Sequence, residues 1–238
     1  MNLVSDTVAW LLDAANWGGN QGILTRLLEH AAFSGISLGI AVAIAVPAGI
    51  WIGHTGRFVG FAANLANLGR ALPSLAVIGL VLPITAAIDP QLGFKVYPTL
   101  VAMVVLAIPP ILVNTQAGVA GVDRDLVEAA RAMGMTDRQL VQRVELPLAI
   151  APILAGLRSA AVQVVATATL GAFFGGGGLG RFLVEGIAQQ DDGKTFGGVV
   201  LVAGLALAVE AAFVALQRLI RSPGLARIEV RSTSTSAA

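Results

Sequence analysis

The chain has 238 residues, of which 56% are hydrophobic and 12% charged, with a mean hydropathy of +0.81. Soluble domains carry roughly a quarter charged residues, so this composition is that of an integral membrane protein. The absence of cysteine excludes disulfides, thiolate zinc sites and Cys nucleophiles; the net charge of +1 says little by itself, and no nucleic-acid partner is expected.

Residues 1–30 read as an interfacial segment. Stretches 7–16 and 22–30 are short and mixed in polarity, with Trp10 and Trp17 on the first and Arg26 and Glu29 on the second. Neither covers the ~30 Å of hydrocarbon, and Trp favours the membrane interface. The N-terminus carries Asp6 and Asp13 but no early basic residues, unlike a cleavable signal peptide. The first span is placed at 31–53. Gly35 with Gly39, and Gly49 with Gly53, form two GxxxG pairs on nearly one face, a pattern that lets a neighbouring helix approach closely. Glycine is also common in membrane helices without that role. Pro47 predicts a kink.

The second span, 58–84, is interrupted at Gly69-Arg70-Ala71-Leu72-Pro73. Pro73 has no backbone N–H, and at 1.5 Å per residue Arg70 lies about 16 Å along the helix. A break at membrane depth is tolerated only where protein or water covers the freed backbone groups, which places it inside the bundle or along a pathway. A loop, 89–96, leads to the third span, 97–116, which contains Pro109-Pro110. The fourth span, 147–171, contains Pro152, Arg158 and Gln163. Residues 173–196 read as a glycine-rich and then acidic loop, and the fifth span, 197–219, contains Glu210. Residues 221–238 read as a disordered basic tail. The fold class is therefore an all-α polytopic membrane protein, with about five transmembrane helices in a unit spanning 31–220.

An odd number of spans puts the two chain ends on opposite sides. Arg57, Arg124, Arg131, Arg138, Arg143 and the arginines from Arg218 onward fall on one side. Arg26, Lys95, Arg181 and Lys194 fall on the other, outnumbered there by acidic residues. The positive-inside rule then gives an outside N-terminus, a cytoplasmic C-terminus and a cytoplasmic polar region at 123–147.

That region is the one long polar interval between spans. Asp125 and Glu128 form a capping-box pattern opening a helix over 126–133. Gly134 suits the left-handed conformation that ends it. Thr136 and Gln139 form a second capping box, opening a helix that runs to Pro147. Ala129, Ala130 and Ala132 keep the first helix slim enough for another protein's groove; a well-capped linker is the plainer alternative on geometry alone.

Glu128-Ala129-Ala130, Gly134 and Val144-x-Leu146-Pro147 follow the EAA–three residues–G–nine residues–hydrophobic-x-LP signature, with Val144 in place of the usual isoleucine. On these residues the chain resembles, over roughly 38–219, the inner-membrane permeases of ABC importers, with their type I permease fold. The resemblance implies that Glu128, Ala129, Ala130 and Gly134 seat a coupling helix in a cytoplasmic ATPase dimer, flanked by Arg131 and Met133 and followed by Leu146 and Pro147. It further implies a bacterial-type inner membrane with its lipid, a second permease subunit (identical or paralogous), and an extracytoplasmic substrate-binding protein. The chain itself is then no enzyme and holds no cofactor, ATP and Mg being bound by the partner. Arg70-Ala71-Leu72-Pro73-Ser74-Leu75-Ala76, Thr167-Ala168-Thr169-Leu170 and the Gly134-Met135-Thr136 run resemble the osmoprotectant branch, whose permeases import glycine betaine, carnitine or choline. Glu185 stands where that branch commonly has arginine. Methionine importer permeases share the Arg-x-Leu-Pro segment and the GGLG loop and are the nearest alternative.

Other patterns are discounted. Gly175-x-Gly177-x-x-Gly180 lacks a preceding strand and reads as a turn. Gly193-Lys194-Thr195 imitates the end of a P-loop, but Ala188 stands where the first glycine is required. His30 and His54 read as isolated, on opposite sides. Arg70, Arg158, Gln163, Glu210 and Pro73 are candidates for the translocation path or its gate, with the three charges about 13–16 Å deep by helical rise. Charges at such depth pair or face a cavity, so Glu210 is expected to pair with Arg158 or Arg70; a longer helix leaving Arg70 at the interface is the alternative. Few aromatics are present to cage a quaternary ammonium, Phe173 and Phe174 at the outer mouth being the adjacent pair. A self-sufficient secondary transporter would show inverted repeats or a mid-membrane ion-binding carboxylate; no repeat is found, and Glu210 stands alone.

Overall fold

The computed structural model describes residues 2–220, apart from the Arg70 side chain; the expected tail at 221–238 lies outside the described residues. Helix α1 spans Leu3–Leu12. Helix α2 runs unbroken over Ile23–Thr55, 33 residues, or about 50 Å at 1.5 Å per residue. Residues 22–30 are thus not a separate surface helix: 23–30 are the first two turns of α2, projecting past the hydrocarbon. Their polar groups find partners both within the turn and far along the chain. Arg26 and Glu29 pair at 2.9 Å, and Glu29 also accepts from the Gly178 N–H at 2.8 Å.

The second span is two helices, α3 (Val59–Ala71) and α4 (Ser74–Ile88), turned 98° from each other. Leu72 and Pro73 are extended, with ψ of 121° and 125°, because a residue before proline is pushed out of the helical region and proline cannot donate. The break falls where the sequence placed it, but it turns the chain rather than merely interrupting a helix.

Helix α5 (Tyr97–Ala120) is the hub, packed against α2, α3, α4 and α8 (Leu146–Ala168). The core is built from small and branched side chains on these helices, among them Ala41, Ala45, Ala62, Met103, Ala107, Ile111, Ala160 and Val164. Apolar tails offer helices no hydrophobic incentive to associate, so contact depends on close backbone approach. Gly49 and Gly53 provide it: a Cβ on Gly49 would stand 2.7 Å from Thr115 Cβ, and one on Gly53 would stand 2.7 Å from Val119 Cβ. Gly35 and Gly39 face open space, so only one of the two GxxxG pairs is a packing seam within this chain.

Beyond α8 the chain tightens into a 3₁₀ segment, Thr169–Phe174, then forms α9 (Gly180–Gln189) and α10 (Asp192–Ile220). The stretch 173–196 is therefore not simply a loop. Leu179, Phe182 and Gly186 are buried at helical spacing, and Trp10 of α1 meets Phe182 edge-on at 5.1 Å. Asp191 caps α10 by accepting from the Lys194 N–H at 2.9 Å, so the last helix starts five residues before 197. The stretches Ile23–Thr55, Tyr97–Ala120, Asp137–Phe174 and Asp192–Ile220 are each long and apolar enough to cross a bilayer, which gives four spans among the described residues, or five where the bent pair counts as one.

Gly53→Leu should destabilise the isolated chain by roughly 1–3 kcal/mol, the usual range for overpacking, whereas Gly39→Leu should leave it unchanged. Thermal unfolding of the two variants in detergent checks this.

Candidate functional site: a bent polar tip and a broken helix

Residues 123–145 form a tip at one end of the bundle. Helix α6 (Arg124–Ala132) is capped by Asp123, whose side chain accepts from the Asp125 N–H at 2.9 Å. The expected Asp125–Glu128 capping box does not form. Asp125 instead lies in the first turn, where a negative charge suits the helix dipole. Gly134 has φ +86°, and its N–H and that of Met135 return to the carbonyls of Arg131 and Ala130 at 3.0 and 3.2 Å. This double closure ends α6 as a Schellman motif and needs the left-handed glycine. The Thr136–Gln139 capping box is present in both directions, at 2.9 and 3.4 Å, and starts α7 (Asp137–Leu140).

The second tip helix does not stop at Pro147. It passes through a π-helical segment, Val141–Glu145, directly into α8. Proline lacks an N–H and its ring crowds the carbonyl one turn back; the chain widens there to five-residue spacing, with Leu146 N–H bonded to Val141 O. The tip is thus continuous with a membrane helix.

Glu128, Ala129, Arg131 and Gly134 are exposed, Met133 is 74% exposed, and Ala130 is buried. Leu146 packs against Val119, Ala149 and Ile153 and Pro147 lies at the start of α8, so these two join the tip to the bundle rather than extend its face. Arg131 reaches Asp137 at 3.2 Å, bracing α6 against α7.

His54 is not isolated. Its Nδ1 lies 2.9 Å from both carboxylate oxygens of Glu145, 91 residues away, and its Nε2 lies 3.9 Å from Asp137. A 510 Å³ cavity beside this cluster is lined by Gln116, Arg124, Glu128 and Arg131 among others. At the opposite end of α2, buried His30 accepts from the Leu179 N–H at 3.2 Å and, through Nε2, lies 2.9 Å from the Val165 carbonyl. It ties α2 to α8 and to the turn before α9. Nothing local in the sequence announces either histidine's partners.

At mid-bundle the break opens onto two cavities, of 390 and 190 Å³, both lined by Gly69, Leu106 and Gln163. Ser74 and Thr167 add polar groups to the larger, Asn114 and Ser159 to the smaller. Gln163 is therefore well placed, and exposed Pro73 marks the break. Arg70 lies one residue before the end of α3, and its side chain falls outside the described residues. Arg158 and Glu210 pair at 3.3 Å, joining α8 to α10, and line neither cavity. Phe173 is exposed, whereas Phe174 packs on Val77, Ile78 and Leu106; the two rings do not wall one cage.

At the end remote from the tip, Glu185 is bonded by Lys194 and Arg181, each at 2.9 Å. Gly193-Lys194-Thr195 is thus the first turn of α10, with its lysine engaged. Gly175 to Gly180 forms the turn into α9, and among the described residues no strand precedes it.

An all-helical bundle with a helix broken beside polar mid-bundle cavities, and a rigid bent tip continuous with a spanning helix, defines a membrane transport permease. The chain belongs to the family described as binding-protein-dependent transport system inner membrane component, which matches residues 45–222. It is 37% identical over 188 residues to the carnitine transport permease protein OpuCB of Listeria monocytogenes, covering 79% of this chain and 83% of that one. It is 32% identical to the choline transport system permease protein OpuBB of Bacillus subtilis, covering 87% and 92%. Against the osmoprotectant import permease protein OsmW of Salmonella typhimurium, the identity is 30%, covering 92% and 99%. A chain from a crystal structure of the inward-facing MetNI methionine ABC transporter superposes with a TM-score of 0.74 at 22% identity, covering 84% of this chain and 97% of that one. That likeness shows the fold, the expected type I permease architecture.

Burial pushes the Glu185 carboxyl up, but the bonds and charges of Lys194 and Arg181 outweigh it and hold it below the ordinary carboxylate range. A depressed carboxylate adds stability above its unfolded pKa, and that contribution is lost as pH falls through the folded value. Acidification from neutral to below about pH 4 should therefore lower the melting temperature of the wild type more than that of Glu185→Gln, measured in detergent.

Proposed function

We propose that the chain is the membrane subunit of an ATP-driven importer for an osmoprotectant of the glycine betaine, choline or carnitine type. The observation that carries the importer mechanism is the tip: an exposed face of Glu128, Ala129, Arg131, Met133 and Gly134 on a helix held by a Schellman motif, braced by Arg131–Asp137 and continuous with α8. In this reading the face seats in a cytoplasmic ATPase dimer that binds ATP and Mg, and nucleotide-driven displacement of the tip passes along α7 and the π segment into α8. That helix carries Gln163 and Thr167 beside the broken helix, so tip and path share one rigid element. The arginine bias supports a cytoplasmic tip and C-terminus and an outside N-terminus. A second permease subunit completes the path, and a separate binding protein delivers the solute.

The solute class is supported by the relatives named for carnitine, choline and osmoprotectants. Phe173 and Phe174 do not wall one ammonium cage, which agrees with selection by the binding protein. A methionine importer is the second reading; it rests on the MetNI likeness, which at 22% identity speaks for fold and not solute.

Proteoliposomes holding the chain with its ATPase and binding protein should take up radiolabelled glycine betaine, choline or carnitine on ATP addition, without competition from methionine. Competition by methionine together with no uptake of the three ammonium solutes would overturn the substrate reading. Glu128→Ala and Gly134→Val should each lower ATP-driven uptake by an order of magnitude or more; for Gly134 the cause is the strain of a β-branched residue at positive φ, about 1–2 kcal/mol. Wild-type uptake in both variants would overturn the docking assignment.

Charge reversal supplies a separate test of the pair between α8 and α10. Arg158→Glu and Glu210→Arg should each lower the melting temperature, and the double swap should recover most of the loss.

A further inference from the structure

We propose that His54 and Glu145 form a strut that carries displacement of the tip into α2 as well as α8, making them positioning residues for the coupling of ATP hydrolysis to transport. The inference rests on the reading of the tip as the ATPase-docking element.

Glu145 is 4% exposed, a nearly buried carboxylate at the last position of the π segment. Both its oxygens lie 2.9 Å from His54 Nδ1. The imidazole and the carboxyl share one hydrogen bond, with Nδ1 as its ring partner. The other imidazole nitrogen lies 3.9 Å from Asp137, and Asp137 in turn accepts from Arg131 on α6 at 3.2 Å. One line of polar groups therefore runs from α6 through α7 and His54 in the last turn of α2 to the π segment at the root of α8. Among the described residues, no other hydrogen bond or ion pair joins α2 to residues 123–145.

Three features favour a positioning role over a purely structural one. A buried polar pair is weak support for stability, since apolar residues of similar volume often serve as well or better. The π turn itself is a device that re-aims a side chain within a helix and recurs at functional positions; here it faces Glu145 toward α2 while α8 continues below. The 510 Å³ cavity between the end of α2, α5 and α6 leaves room for α6 to shift while the strut holds α2 to the tip's root. His54 and Glu145 are both recessed, with side chains 16% and 6% exposed, so they act behind the docking face.

The test measures ATP hydrolysed and solute transported in the same proteoliposomes, using the complete transporter with wild type, His54→Gln, Glu145→Gln and the swap His54→Glu/Glu145→His. The single variants should still bind the ATPase and retain ligand-stimulated hydrolysis, while transport per ATP falls about tenfold, a size within reach of altered coupling. The swap should recover the ratio. A merely structural defect lowers the two rates together, so an unchanged ratio in the single variants overturns the strut, as does a swap that stays at their ratio. Should Glu145→Gln fail to assemble, His54→Gln carries the same ratio test. A wild-type chain that retains no ATPase overturns the docking reading and the strut with it, whereas normal docking with an unchanged ratio removes the strut alone.

Discussion

The close approach of α2 and α8 to α5 is the constraint on which the rest of this structure depends. In hydrocarbon, helices gain nothing from hiding apolar surface, so a bundle holds together by van der Waals contact between backbones that come near enough to touch. Gly49 and Gly53 let α2 lie on Thr115 and Val119, and Gly156 of α8 sits where a Cβ would stand 2.7 Å from Asn114 Cβ. With α5 clasped from both sides, the ends of α2 and α8 arrive side by side. The contact between His54 and Glu145 follows from that, as does the position of Gln163 beside the broken helix.

The same packing explains how a backbone break survives at this depth. Freed groups between α3 and α4 open onto cavities with polar walls, where Ser74, Asn114, Ser159, Gln163 and Thr167 offer partners. A break facing lipid would leave those groups unsatisfied. Gly69 lies against Pro109, with a hypothetical Cβ 2.6 Å from its ring, so the prolines of α5 act as a floor for the turn. Polar lining and a proline floor thus meet at the break. The tip is linked to it by a single helix.

The tip itself was legible because its determinants are local. A glycine at the end of a short amphipathic run, and a threonine three residues before a glutamine, act within one turn of helix and need no tertiary context. The N-cap lies two residues before the one the spacing predicts, because Asp123 and Asp125 both suit a helix start and only the backbone path decides which side chain reaches a free N–H. Residues 22–30 differ from expectation for a related reason: Arg26 and Glu29 look like a surface helix in sequence, whereas Gly178, far along the chain, supplies the third partner. Helix α9 was hidden among glycines, although Leu179, Phe182 and Gly186 carry its spacing.

What the sequence determined by itself is the membrane class, the site of the broken helix, the bent tip and the family signature within it. Each is written in composition, in proline and glycine chemistry, or in spacings of three to nine residues. What only the tertiary structure decided is which charges meet. Glu145 reads as the variable position in a motif and His54 as a lone histidine, and nothing in one dimension pairs residues 91 apart. Their meeting is set by how far α2 extends and how closely α5 lets it lie beside α8. Those are properties of packed backbones, to which every residue along the seam contributes and which no single residue encodes.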